Sequence, residues 1–513
     1  MSFAEKLQPK PAPFIAEPDT RFWFRRAIGF TIKATIDEPW QARIIVRRHG
    51  GVHELAIGRS DLRRLMAMDA FAELDDRAWL ERFEAQDLVY FSRTPSQRTT
   101  TGAPLATARD AEAKIALRDG VNLTLAIADE NEITPLLFMP RRGALATKTF
   151  RGLRFSSLEA GSEAYALDLY GSPAAVSVLR QLMPLLDGSA SFAEIEARFA
   201  GPARARARTI LEWLDDCGML AAGDTKDPAL AGDGPFVAWL GHAAVLVKVG
   251  EATLMVDPLF IRRNVPPKVH LDEPLDWRAL PKPDAVLITH GDNDHLNPPT
   301  LVQIDASMPI VVPKERVARP YQVDLKEVLG FLRFTDVREL DDWSSLMIGD
   351  TRVTAVPFLG EDWGLDLTKA TYLVEGPRGR VYLSADSFNT KEIFERVRER
   401  GPVDFAFLGI SGCEEPLVAP PGYGYGEFYA VWLPRAQRNE WILHTQGPSA
   451  AAVAAQTLDA RHVFGYAAGG GSFMDMSHSD RGTQADLAAA LEELRLGERA
   501  TTLELGVPFS LTE

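Results

Sequence analysis

Four side chains able to hold a metal ion, His290, Asp292, Asp294 and His295, fall within six consecutive residues of this 513-residue chain. They close the stretch Ala285-Val-Leu-Ile-Thr-His-Gly-Asp-Asn-Asp-His-Leu296. A short apolar run that opens on polar residues is the pattern of a buried strand ending at a sheet edge. Alternate residues of a strand share a face, so His290 and Asp292 are expected to point one way. The turn that follows is expected to bring Asp294 and His295 to a second centre. Imidazoles and carboxylates this dense are costly to desolvate unless a cation compensates them. The segment therefore calls for a fold that aims a strand end into a metal-binding cleft. A plain polar loop is the alternative.

A single core seldom grows past about 250–300 residues, so two or more domains are expected. Residues 1–148 read as an α/β region of unassigned fold, with strand-like Gly29–Ile36 and Ala42–Arg47 and helix-like Leu62–Phe83. Within it, Pro9–Pro18 reads as a mobile arm and 92–112 as a polar surface loop. Residues 149–222 open with strand-like alternation and continue as three short helices. The first, Ala174–Leu186, spaces Val178, Leu179, Leu182 and Leu186 as one apolar face. Ser191 and Glu194 form a candidate capping box for the second, and Gly218 ends the third. This order suggests a winged-helix-like unit. Residues 223–234 are small and turn-rich and read as a linker. In 235–513 strands come in two runs, each with later helices, which predicts a sheet sandwich covered by helices on both faces.

Charge and cysteine content narrow the partners. Lys and Arg number 56 against 71 Asp and Glu, a net charge of −15, so nucleic acid is a poor partner. The cluster Arg204, Arg206, Arg208 fits a solvated helix face. No apolar run approaches the ~18 residues needed to span a bilayer, and the start lacks a signal-peptide core. The two cysteines, Cys217 and Cys413, are too few for a disulfide framework or a cysteine metal site. A cytoplasmic location is the expectation, and the sequence is compatible with a homodimer.

Three segments together resemble the metallo-β-lactamase superfamily: Trp239-Leu-Gly-His-Ala-Ala-Val-Leu-Val247, Leu254-Met-Val-Asp-Pro-Leu-Phe260 and Ile288-Thr-His-Gly-Asp-Asn-Asp-His-Leu-Asn297. The resemblance spans about 235–510 and implies an αββα sandwich with a dinuclear site at the sheet edges. It implies Asp386, in Ser-Ala-Asp-Ser387, as the bridging aspartate. Three positions depart from the family pattern. Asp292 stands for the second His of His-x-His-x-Asp-His, Glu361 or Asp362 for a later His, and Ala467 for the last one. His444 and His478 are spare histidines that would make up for the last. His242 and Asp257 are expected to orient ligands by hydrogen bonding; a plain core histidine is the alternative for His242. Residues 149–222 resemble, more weakly, the PqqD-like peptide-recognition domain.

Each departure removes an imidazole, and the expected set becomes His290, His295, Asp292, Asp294, Glu361 and Asp386. Zinc hydrolases favour nitrogen-rich sites. Oxygen ligands favour iron or manganese, and di-iron carboxylate proteins use a comparable set. The chain layout is similar to the di-iron β-hydroxylase subgroup known from chloramphenicol biosynthesis. That likeness implies two iron ions, an external electron donor, and O2-dependent hydroxylation of an amino acid held on a carrier protein or peptide. The alternatives are a zinc or manganese hydrolase of an ester, lactone or phosphodiester, and a non-catalytic metal-binding or peptide-binding protein.

Overall fold

The apolar run ahead of His290 forms the strand Ala285–Leu287, with all three residues buried. It lies inside a seven-stranded sheet, flanked on both sides, so it needs no polar face. Across that sheet the order is Val337–Leu340, Ile310–Pro313, Ala285–Leu287, Thr253–Val256, Ala244–Lys248, Phe236–Gly241 and Pro508–Ser510. A second sheet runs Ser345–Ile348, Thr351–Pro357, Ala370–Gly376, Gly379–Leu383, Phe405–Gly409 and His462–Tyr466. The structure is a computed structural model, and it describes residues 23–26, 30–38, 41–48, 51–67, 89–92, 114–117, 121–129, 132–136, 142–159, 162–222, 234–260, 280–318, 322–360, 368–412, 414–416, 441–443, 445–467 and 482–512.

The two-residue period decides which side chains meet between the sheets. Val237 and Trp239 point into the shared core, while Ala238 and Leu240 point to the opposite face. Val256, Leu287, Val353, Tyr372, Leu383 and Phe407 fill the same inner layer. Helices Pro298–Leu301 and Leu325–Phe331 cover the outer face of the first sheet through Leu301, Val328 and Leu329. Helices Lys391–Arg398, Pro448–Leu458 and Gln484–Glu493 cover the second through Val397, Leu458 and Leu491. This is the expected αββα sandwich. Thr253–Val256, Ala285–Leu287 and Ile310–Pro313 pair in parallel, and so do Gly379–Leu383, Phe405–Gly409 and His462–Tyr466. Parallel pairing gathers the carboxyl ends of neighbouring strands at one edge, and the candidate ligands follow those ends.

A third sheet takes in strands from both sides of the expected boundary between residues 148 and 149. Its order is Gly51–Gly58, Gln41–Arg48, Phe30–Thr35, Ser162–Tyr170, Thr149–Glu159, Val121–Asp129 and Glu132–Leu136. The hairpin Thr149–Glu159/Ser162–Tyr170 pairs with Phe30–Thr35 on one side and Val121–Asp129 on the other. Both of its edges are taken, because Leu153, Phe155, Tyr165, Leu167 and Leu169 are buried and would be left open by a separate 149–222 unit. Helices Pro173–Leu182, Phe192–Ala197 and Gly201–Asp216 follow, and Ser191 and Glu194 form the capping box. A small sheet beside them places Lys114–Leu117 between Asp187–Ser191 and Leu220–Ala222. Arg204 and Arg208 pair with Glu196, and Arg206 with Asp37, so this basic cluster is met from within the chain. The Pro9–Pro18 arm, residues 93–112 of the expected surface loop and residues 223–233 of the expected linker lie outside the described residues.

One buried arginine ties the N-terminal part to the sandwich. Arg180 donates to the carbonyls of Leu332 (3.0 Å), Val302 (3.0 Å) and Leu301 (3.3 Å), with Phe334 against its guanidinium. Burial pulls its pKa down to about 10, with Asp305 opposing, so it stays charged at neutral pH. These carbonyls are terminal groups of two helices, and that of Leu301 also accepts from the Ile304 amide (3.1 Å). Replacing Arg180 by Leu takes this donor from the Leu332 and Val302 carbonyls and leaves Leu301 with the Ile304 amide alone. We predict a loss of roughly 3 kcal/mol in unfolding free energy, read from urea denaturation; an unchanged midpoint would show that the carbonyls are satisfied otherwise.

Candidate metal centre

Two turns and two strand ends deliver the site. Asp257 follows the strand Thr253–Val256, and Thr289 and His290 follow Ala285–Leu287. The Asp257 amide bonds to the Leu287 carbonyl (2.9 Å), and the Thr289 amide bonds to Asp257 Oδ1 (2.8 Å). The two neighbouring strand ends are thus tied together by one carboxylate. His242 sits in the hairpin turn between Phe236–Gly241 and Ala244–Lys248. Asp386 follows Gly379–Leu383 through a turn in which the Ala385 amide donates to Tyr466 Oη (2.7 Å). Gly409 is required beside that turn, since a Cβ there would lie 2.4 Å from the Ala385 carbonyl oxygen.

The imidazoles are oriented by Asp257. His295 Nδ1 lies 2.8 Å from Asp257 Oδ2, and Thr289 Oγ1 lies 2.5 Å from the same oxygen. His290 Nδ1 lies 2.8 Å from Thr289 Oγ1. The consistent assignment has the Thr289 hydroxyl and His295 Nδ1–H donating to Asp257, and His290 Nδ1–H donating to Thr289. In the neutral, ion-binding form of the rings both Nε2 atoms then carry lone pairs facing the cleft. His295 Nε2 is 2.9 Å from Asp386 Oδ2, and His290 Nε2 is 3.8 Å from Asp386 Oδ2 and 3.5 Å from Asp292 Oδ2. His242 Nε2 is 3.2 Å from Asp294 Oδ2. His295 therefore stands between two groups, one with His290 and Asp386 and the other with His242 and Asp294, and within each group the ligand atoms lie within 4.8 Å of one another.

Sequence reasoning separated His290 with Asp292 from Asp294 with His295; in the structure His295 is shared, and His242 joins Asp294. Glu361, Asp362, His444 and His478 lie outside the described residues. Thr289 and Tyr466 were missed. A hydroxyl in an apolar strand end and a tyrosine 80 residues past Asp386 carry no local signal that they act together. Lys369, also missed, lies over the Phe358 ring (4.9 Å), and its charge favours the Asp292 carboxylate.

The residues fit a cation. Asp386 Oδ1 is buried with no hydrogen-bond partner, beside imidazole nitrogens of His290 and His295. Burial works against charge on Asp386 and Asp292, but the histidines beside them outweigh it and hold both carboxyls below their usual range. Burial likewise opposes charge on His295, yet Asp386 and Asp257 raise its pKa well above the ordinary value. A raised histidine stabilises the metal-free fold fully below about pH 6.5, and that contribution fades as pH climbs through its folded pKa. A metal ligand must be neutral, so ion binding displaces this proton. We predict that calorimetry in buffers of different ionisation enthalpy reads proton release near neutral pH, with affinity rising as pH rises. We also predict that Thr289→Val, which cuts His290 from Asp257, weakens divalent-ion binding by about 10-fold in chelator competition. Unchanged affinity would mean that His290 is oriented without Thr289.

Part of the chain is similar to known proteins. The family model for the β-lactamase superfamily domain matches residues 253–465. A Streptomyces venezuelae protein named 4-amino-L-phenylalanyl-[CmlP-peptidyl-carrier-protein] 3-hydroxylase is 31% identical over 254 residues, 48% of this chain and 47% of that protein. A metal-dependent hydrolase from Dinoroseobacter shibae is 25% identical over 158 residues, 29% of this chain and 63% of that protein. The chain thus matches about half the length of the first of these relatives. Among solved structures, that of CmlA, a diiron β-hydroxylase from Streptomyces venezuelae, superposes with a TM-score of 0.48 at 21% identity, covering 73% of each chain. Residues 253–465 are thus the part of this chain that is similar to the β-lactamase superfamily domain.

Proposed function

We propose that the chain is a non-haem di-iron oxygenase that hydroxylates an amino acid, at its β-carbon, while that amino acid is tethered to a carrier protein or peptide. The observation that carries this reading is the donor set. Around His290 and His295 the described neighbours are the carboxylates Asp292, Asp294 and Asp386 and one further imidazole, His242. Oxygen donors in that proportion suit iron or manganese better than the nitrogen-rich sites of zinc hydrolases. The relative named for 3-hydroxylation of a carrier-bound aminoacyl group supports the substrate class over the matched half of its length.

In this reading His290, Asp292, Asp294, His295, Glu361 and Asp386 would hold the ions, with Asp386 as the carboxylate they would share. An iron pair held there would supply O2 activation, one oxygen atom entering the C–H bond and the other leaving as water on two electrons from an external donor and two protons. The chain's own contribution is positional. Asp257 and Thr289 keep Nδ1 protons on His295 and His290, so that only Nε2 faces the ions. Burial of both rings keeps bulk water from competing for the site. Residues 149–222, whose hairpin shares a sheet with Phe30–Thr35 and Val121–Asp129, are assigned the recognition of the carrier or peptide, ahead of the 223–234 linker and a catalytic domain over 235–513. Nucleic acid and membrane have no part in this reading, and the cytoplasm is its place.

The test is metal analysis of protein expressed with iron available, with spectra taken before and after dithionite and air. About two irons per chain are expected, with a charge-transfer band that dithionite bleaches and air restores. Tight zinc that resists iron loading would overturn the oxygenase in favour of hydrolysis of an ester, lactone or phosphodiester, in line with the relative named a metal-dependent hydrolase. Glu361→Ala is expected to lower iron retention at least about 10-fold in chelator competition. Full retention would remove Glu361 from the ligand set.

A further inference from the structure

We propose that His242 is itself a metal ligand, holding the second ion of the centre with Asp294 and His295 and standing in for the imidazole that Ala467 lacks. The inference rests on the metal-centre reading above and changes the role expected of His242 from the sequence.

Three independent features converge on it. First, the donor atoms are placed for an ion: His242 Nε2 lies 3.2 Å from Asp294 Oδ2, and the ligand atoms of His242, Asp294 and His295 lie within 4.8 Å of one another. The His242 and His295 rings meet edge to face at 5.1 Å. A core histidine would direct its ring at apolar neighbours; this one directs Nε2 at a carboxylate, Asp294.

Second, the backbone is held in an uncommon conformation to achieve this. His242 has φ 47°, in the left-handed region that non-glycine residues seldom occupy. Its carbonyl is pinned by two donors, Trp239 Nε1 at 2.9 Å and the Ala467 amide at 3.3 Å. A turn strained and doubly fastened points to a side chain whose position matters.

Third, the neighbour that fastens it is Ala467, where the family resemblance expects the last histidine. Ala467 follows the strand His462–Tyr466 of the second sheet, and His242 follows Phe236–Gly241 of the first. The two residues meet across the mouth of the sandwich through the bond just named. One sheet contributes a methyl group at this place, and the other contributes an imidazole beside it. The ligand has changed strands while its place in the centre is kept.

The test uses the full-length chain, stripped of metal and titrated with Co(II) alone. The wild type is expected to bind about two ions and to show hyperfine-shifted, exchangeable imidazole N–H resonances from its bound histidines. His242→Gln is expected to show one such resonance fewer and to bind the second ion at least about 10-fold more weakly, with the melting temperature of the metal-free protein unchanged. A residue that only hydrogen-bonds Asp294 would weaken binding without removing a resonance. Because the variant alters a buried side chain, a second measurement uses the wild type: with Zn(II) bound, the ¹⁵N shift of His242 Nε2 moves to the metal-bound range. An unchanged resonance count in His242→Gln, or an unmoved His242 Nε2 shift, overturns the assignment while leaving the metal centre in place. A wild type that binds no pair of ions overturns this inference and the metal-centre reading together.

Discussion

The Asp257 carboxylate is the constraint on which the centre depends. It is 1% exposed, and its two oxygens accept from the Thr289 amide, the Thr289 hydroxyl and His295 Nδ1. A carboxylate buried this deeply is tolerable only when its lone pairs are occupied. Those bonds join the ends of two parallel strands and at the same time decide which nitrogen of each imidazole faces the cleft. Remove the carboxylate and both functions fail together, because the hydroxyl that reaches His290 would lose the acceptor that fixes its proton.

The same edge collects conformational strain. His242, Asp257, Ala385 and Ala467 all have φ between 42° and 51°. For L-residues that region costs roughly 1–2 kcal/mol each. It is sustained by bonds from the rigid layers: Leu287 to the Asp257 amide, Tyr466 to the Ala385 amide, and Trp239 with Ala467 to the His242 carbonyl. The inner core of Val256, Leu287, Tyr372, Leu383 and Phe407 is what makes those partners immobile. Packing between the sheets is thus converted into precise placement of donor atoms at their rim.

The N-terminal part reaches the same rim by a short mechanical route. Arg180 holds the carbonyls of Leu301 and Val302 at the end of the helix Pro298–Leu301. The start of that helix is capped by Asn297, which also donates to the Asn293 carbonyl (2.9 Å) inside the ligand loop. Gly143 and Leu145 donate their amides to Glu327 at the neighbouring helix, and Phe150 packs on Phe331. A ligand loop without regular structure of its own is therefore braced from outside the sandwich as well as from within it.

The apolar run from Ala285 ahead of His290-Gly-Asp-Asn-Asp-His295 was enough to predict a strand end bearing ligands, since burial and period are local properties. The two runs of strands with later helices were enough for the αββα layering. The capping box of Ser191 and Glu194 was legible for the same reason, as its bonds close within four residues. The boundary at 148 was not, because strand pairing between Phe30–Thr35 and Ser162–Tyr170 is a contact across more than a hundred residues that no window of sequence records. Nor were the roles of Thr289 and Tyr466, or the nearness of His242 to Asp294. By itself the sequence determined which donors this chain owns and that the loop after Ala285–Leu287 carries four of them. Only the tertiary structure decided their grouping, with His295 shared and His242 brought to Asp294, because that depends on how two twisted sheets meet at their edge, and the meeting is set by the packing between them.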